Sequence, residues 1–158
     1  MTNFRAFYKE HRDRLFGYLM RSTGDYYFAG DILQESFTRF LEKYGDEGEN
    51  PALLYTIARN AVVDGYRKQG RDTVLQDAQD NSRPNPESHV MVREDYRRVL
   101  DAMQELEQEE RDILSLVVSS GLPYRKIARI SGTSEANVKV RVHRARVKLK
   151  KMMKTGEI

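Results

Sequence analysis

The sequence predicts an all-α protein of two small helical domains joined by a flexible linker, the C-terminal one a helix-turn-helix. Three observations predict it. Apolar residues recur at steps of three and four in the segments on either side of a polar middle. That middle, GRDTVLQDAQDNSRPNPES from Gly70 to Ser88, is polar, poor in aromatics and holds Pro84 and Pro86, as a linker would. Nothing reads as a sheet, because no valine-rich segment has a second strand to pair with. The parts are residues 1–70, a linker over 71–89, and residues 90–158.

The elements follow in order. Phe4, Phe7, Tyr8, Leu15, Tyr18 and Leu19 fall at helical spacing, and Gly24-Asp25 breaks the pattern. Ala29, Leu33, Phe37, Phe40, Leu41 and Tyr44 make one face of a second helix, which GDEGENP stops. Leu54, Ile57, Ala58, Ala61 and Val62 form the stripe of a third, ending near Gln69-Gly70. The C-terminal part opens with a helix from about Val90 through Leu100, Met103 and Leu106. Another runs from about Gln108 to Ser119, with Ile113, Leu114, Leu116 and Val117 inward, and Gly121-Leu122-Pro123 ends it. A short helix, Tyr124 to Ile130, leads to a tight turn over Ser131-Gly132-Thr133-Ser134.

The segment after that turn, NVKVRVHRARVKLKK, carries seven Lys or Arg in fifteen residues and no acid. Its alternation of Val138, Val140 and Val142 suggests a strand but fails at Arg144, where a strand would want an apolar residue. Helical spacing does better: Val138, Val142, Ala145 and Leu149 make one narrow stripe. Ser134 or Thr133 can cap the helix, and Glu135 suits its positive pole. The opposite face holds Ala136, Lys139, Val140, His143, Arg144 and Val147. Donors there suit phosphates and guanine edges, and apolar groups suit thymine methyls. Ala128 permits close helix approach and Gly132 supplies a turn conformation other residues resist, as a helix-turn-helix needs. The competing reading is a generic helical hairpin with a solubilising basic face.

Composition narrows the function. The chain has 158 residues, 39% hydrophobic and 32% charged, with a formal net charge of only +3. The distribution says more than the total: LEQEERDI is acid-rich and the chain beyond Glu135 is basic, as for a protein that meets a polyanion. There is no cysteine, so thiolate metal sites, disulfides and cysteine nucleophiles are excluded. His11, His89 and His143 are far apart, and no carboxylate pair accompanies a nucleophile. No enzyme activity, cofactor or metal is expected. The charged N-terminus is unlike a signal peptide and no run approaches a membrane span, so a cytoplasmic location is expected.

Two further segments carry polar patterns. In AGDILQESFTRFLEKY, Asp31 and Glu35 are i, i+4 neighbours off the apolar face, with Gln34 beside them. They can complement a basic partner helix, although an isolated pair of this kind more often belongs to a solvated face. In LLYTIARNAVVDGYRKQGR, Asn60, Asp64 and Arg67 share one side of a helix. Asn and Arg can bond bases and phosphates, and Asp64 can orient Arg67 or Lys68.

Taken together with LEQEERDILSLVVSSGLPYRKIARISGTSEANVKVRVHRAR, these segments resemble the extracytoplasmic-function class of the sigma-70 family of RNA polymerase sigma factors. The pattern Asp31, Gln34, Glu35 and Phe37 resembles the helix that docks on the polymerase largest subunit. Ile57, Ala58, Arg59, Asn60, Asp64 and Arg67 resemble the promoter-melting helix of region 2. Ile127, Ala128, Gly132, Ser134, Val138, Lys139, Arg141, Arg144, Ala145 and Arg146 resemble region 4. The resemblance implies polymerase binding by Asp31, Gln34 and Glu35. It implies contact with the minus-ten element by Arg59, Asn60, Asp64, Arg67 and Lys68, with the loop Gly45 to Asn50 receiving a flipped base. It implies contact with the minus-thirty-five element by Ser134, Glu135, Ala136, Asn137, Lys139, Val140, Arg141, His143, Arg144 and Arg146. Core RNA polymerase, promoter DNA and an anti-sigma factor are the partners implied.

The chain departs from the family pattern in places. It has no Trp, so stacking near Leu53 and Leu54 lacks its usual residue. Arg125 and Lys126 replace common acids, Ser131 and Thr133 stand at usually apolar positions, and Val140 replaces a frequent serine. Two other readings stay open from the residues alone. One is a DNA-binding regulator that never meets polymerase, although the N-terminal half lacks the βα alternation of a receiver domain. The other is a helical adaptor whose basic stripe binds an acidic protein.

Overall fold

The structure, a computed structural model, describes residues 3–45, 49–73 and 94–155. Most of the expected linker, His89, the start of the helix expected at Val90 and the centre of the Gly45 to Asn50 loop lie outside the described residues. Among the described residues there are seven helices and no strand: α1 (Asn3–Thr23), α2 (Tyr26–Tyr44), α3 (Pro51–Thr73), α4 (Glu94–Gln104), α5 (Gln108–Ser120), α6 (Tyr124–Ser131) and α7 (Glu135–Thr155). The expected order of elements stands, with shifted ends. Helix α3 continues to Thr73 instead of stopping at Gln69-Gly70, so residues 71–73 are helix and not linker. Leu106 lies past the end of α4, buried, its N–H donating to the Met103 carbonyl at 3.1 Å.

Local chemistry explains the ends. The Asp25 carboxylate accepts from the Phe28 N–H at 3.0 Å and starts α2, three residues earlier than the apolar pattern beginning at Ala29 would suggest. Ser134 caps α7 by accepting from the Asn137 N–H at 3.0 Å. Between α6 and α7, Gly132 has φ 72°. Its N–H donates to Arg129 and the Thr133 N–H to Ala128, the paired bonds that close a helix through a left-handed residue. That turn sets the angle between the two helices, and a side chain at Gly132 would strain it.

In α1, Phe7, Leu15, Tyr18 and Leu19 are buried. Phe7 stacks on Phe40 of α2 at 4.8 Å between centroids, while Phe4 and Tyr8 meet Phe37 edge-on. Helix α3 adds Leu54, Tyr55, Ala58, Ala61 and Val62. It approaches α2 closely at Gly65, where a Cβ would fall 2.4 Å from the Phe28 ring. Leu41, expected in the apolar face of α2, is exposed instead, at the edge of the stripe. In the C-terminal half α7 packs on α4, α5 and α6 through Val138, Val142 and Ala145.

The two halves do not lie apart. Helix α1 packs along α5, and the buried side chains of α1 to α3 and of α4 to α7 form one contiguous cluster.

Candidate nucleic-acid interface

Helix α7 is two-faced. Val138, Val142 and Ala145 are buried and Leu149 is half-buried, which fixes the helix against its neighbours. Ala136, Lys139, Val140, His143, Arg144, Arg146 and Val147 are exposed on the remainder. Val140, with 44% of its surface accessible, is not part of the core. The exposed set therefore mixes cationic donors with aliphatic carbon, which a groove-reading helix needs. The first turn is committed differently. The Ser134 hydroxyl is occupied as a cap, and Asn137 Nδ2 donates to Thr133 Oγ1 at 2.8 Å, so both residues hold the turn.

Not every cation of α7 points outward. Arg141 turns back to α5, with Nη2 3.0 Å from Glu109 Oε1 and Nη1 3.9 Å from Glu107 Oε1, and its Nε is buried without a hydrogen-bond partner. The resemblance set it among the DNA contacts; here its guanidinium meets acids of its own chain. Lys148 Nζ meets Glu110 Oε1 at 2.9 Å. The acid-rich segment and the basic helix are thus partners, and part of the charge segregation in the sequence is cancelled by folding.

The residues expected to dock on polymerase lie on the outer side of α2. Asp31 and Gln34 are exposed and Glu35 is half-buried, opposite the buried Ile32, Ser36, Phe37 and Phe40. Glu35 forms an i, i+4 ion pair with Arg39. On α3, Asn60, Asp64, Arg67 and Lys68 are exposed, and Asp64 stands 3.9 Å from Arg67 Nη1, near enough to orient it.

Arg59 is the exception on α3. Its Nε donates to Asp112 Oδ2 at 2.7 Å, and Tyr18 Oη donates to Asp112 Oδ1 at 2.6 Å. Burial alone would lower the Arg59 pKa, but its hydrogen bond to Asp112 and the charge of Asp112 raise it. Burial, reinforced by the Asp112 charge, pushes the Tyr18 hydroxyl well up, so it stays a neutral donor. Sequence reasoning missed Asp112 and the Tyr18 hydroxyl. Tyr18 reads as core from its spacing, and it is core. The acids Glu107, Glu109, Glu110 and Asp112 are visible as a run, but helical geometry fans them to different sides. Glu107, Glu109 and Glu110 face α7, and Asp112 faces α1 and α3.

The fold and this site define a class: a two-unit helical DNA-binding protein whose C-terminal unit is a helix-turn-helix. Residues 7–72 match the Sigma-70 region 2 family, and residues 96–149 match Sigma-70, region 4. The ECF RNA polymerase sigma factor EcfG of Rhodopseudomonas palustris is 36% identical over 134 residues, spanning 79% of this chain and 71% of that protein. The ECF RNA polymerase sigma factor SigM of Bacillus subtilis is 30% identical over 158 residues, spanning 94% of each. Among solved structures, the sigma factor RpoE from Bartonella quintana, in complex with the anti-sigma factor NepR, matches with a TM-score of 0.80 at 24% identity over 98% of both chains. CnrH, in complex with the cytosolic domain of CnrY, matches with a TM-score of 0.69 at 22% identity, covering 96% of this chain and 88% of that one. The chain belongs to the sigma-70 family of RNA polymerase sigma factors, in its extracytoplasmic-function class. It is a transcription initiation factor that binds RNA polymerase and directs it to promoters. Among the described residues, no helix is long and apolar enough to cross a membrane.

Proposed function

We propose how the named residues divide this work. Asp31, Gln34 and Glu35 form the face of α2 that docks on a basic helix of core polymerase. Asn60, Arg67 and Lys68, with Arg59 once freed, meet the minus-ten element, and Asp64 orients Arg67. Lys139, Val140, His143, Arg144 and Arg146 read the minus-thirty-five element, and Ala136 lets the start of α7 approach the duplex. Ser134, Glu135, Asn137 and Arg141 position that helix. Residues 1–70, with α3 running on to Thr73, and residues 90–158 are the two working units. The reaction is carried by the polymerase, and this chain supplies binding only. It acts in the cytoplasm, and an anti-sigma factor, the kind of partner that NepR is to RpoE, restrains it.

One observation carries the reading: the apolar stripe of α7 is buried while Lys139, Val140, His143, Arg144 and Arg146 are left outside. Such a face offers a groove both charge and methyl contact. The test is reconstituted transcription. Core polymerase with this chain should yield promoter-dependent transcripts from a selected template, and polymerase alone should not. No transcript from any fragment of a genomic library would overturn the reading.

A further inference from the structure

Asp112 belongs to α5, in the unit that carries the helix-turn-helix, yet both partners of its carboxylate lie in the other unit. One partner is the Tyr18 hydroxyl. The other is Arg59, which the promoter reading assigns to DNA. A guanidinium held by a carboxylate through a charge-assisted bond is not free for a phosphate. Asn60, Asp64, Arg67 and Lys68 remain exposed, so it is Arg59 that closure takes away. Arg21 reinforces the contact: its Nη1 donates to Ser119 Oγ at 2.9 Å, and its carbonyl accepts from Gln104 Nε2 at 3.4 Å.

Distance makes closure incompatible with the whole task. The minus-ten and minus-thirty-five elements are, by name, roughly 25 base pairs apart, which at about 3.4 Å per pair is roughly 85 Å. A folded chain of this length has a radius of gyration of only about 15 Å. Units in direct contact cannot reach both elements. Beside Asp112 a cleft of about 340 Å³, bordered by Ser22, Val62, Tyr66, Gln108 and Glu109, leaves the seam partly unfilled. Apolar packing of α1 on α5 still holds the units together, so polymerase must bind the open form more tightly to shift the balance.

We propose that Asp112 is an interdomain latch, holding Tyr18 and Arg59 so that the resting chain is closed and its minus-ten face incomplete. This rests on the promoter reading above, and the test separates the two. The chain has no cysteine, so labels can be placed at will. Glu42→Cys on α2 and Lys150→Cys on α7, both exposed, report the distance between units in the full chain. Asp112→Asn and Tyr18→Phe should each shift that distance to longer values while the helical circular dichroism is kept. Asp112→Asn should tighten binding of the full chain to a promoter duplex on the order of ten-fold, and Tyr18→Phe by less. It should also lower, by a similar factor, the concentration giving half-maximal transcription. Unchanged distances in both variants would overturn the latch. Longer distances with no gain in DNA binding would overturn its inhibitory role. A wild-type chain that never supports transcription would overturn the promoter reading instead, and the label distances would still decide whether Asp112 holds the units together.

Discussion

Lys148 Nζ lies 2.9 Å from Glu110 Oε1, and the Glu110 side chain is only 2% exposed. The pair ties the far end of α7 to α5 and so fixes the reading helix. Lys148→Met would leave a buried carboxylate without its cation, a loss on the order of 3 kcal/mol. For a chain of this size that is roughly 6–12 °C in thermal midpoint. Replacing both, Glu110→Leu with Lys148→Leu, should recover much of the loss, because no charge is then left inside. Thermal unfolding followed by circular dichroism checks both variants. A single variant as stable as wild type would show that the pair holds nothing.

His11 is buried against Phe7, with ring centroids 4.7 Å apart. Burial lowers its pKa from 6.5; Glu10 raises it and Arg14 lowers it, both by less. The fold therefore keeps the imidazole neutral, while the unfolded chain takes up a proton below about 6.5. The stability from this residue is complete above that value and is lost as pH falls through the lowered folded pKa. Urea midpoints at pH 7.5 and 5.5 should differ more for wild type than for His11→Leu. Equal differences would contradict the assignment.

Arg144 is exposed on α7 and no ion pair within the chain occupies it among the described residues. Binding of promoter duplex should weaken steeply with salt. If Arg144 meets a phosphate, Arg144→Ala should lower the salt slope by about one ion across all sequences. If it is bidentate to guanine, it should cost about 1–3 kcal/mol at one base pair. Titration of wild type and variant at several salt concentrations against a panel of single-pair substitutions separates the two. Salt-independent binding would rule out the electrostatic mechanism.

Val140 sits among the donors of α7 and away from the core. Its methyls suit a thymine methyl. Val140→Ser should change the preferred site recovered by selection from random duplexes and leave the thermal midpoint within about 2 °C, since exposed substitutions are close to neutral. The same selected site for both proteins would contradict the role given to Val140.

Much of this was legible in the sequence because helical periodicity is a short-range signal. The stripe of Val138, Val142, Ala145 and Leu149 predicted which side of α7 is buried, and Gly132 marked the turn. The Asp31, Gln34 and Glu35 face followed from spacing in the same way. What was not legible depends on contacts between distant segments. Nothing local to Asp112 says that its partners are Tyr18 and Arg59. Arg141 and Arg144 look alike as residues of one basic run, yet the first faces α5 and the second faces outward. The end of α3 was misplaced because Gly70 reads as a stop, and the helix continues through it to Thr73.

In the proposed mechanism the α2 face delivers polymerase to the sequence read by α7. The decisive measurement is retention of core polymerase by the tagged full chain, with promoter-duplex binding titrated on the same preparations. In the double variant Asp31→Lys, Glu35→Lys, like charges face a basic partner helix, so polymerase retention should be lost. Both residues lie on α2, away from α7, so duplex binding should stay at the wild-type level. Polymerase retained equally by the double variant, or not retained by wild type, would contradict that mechanism.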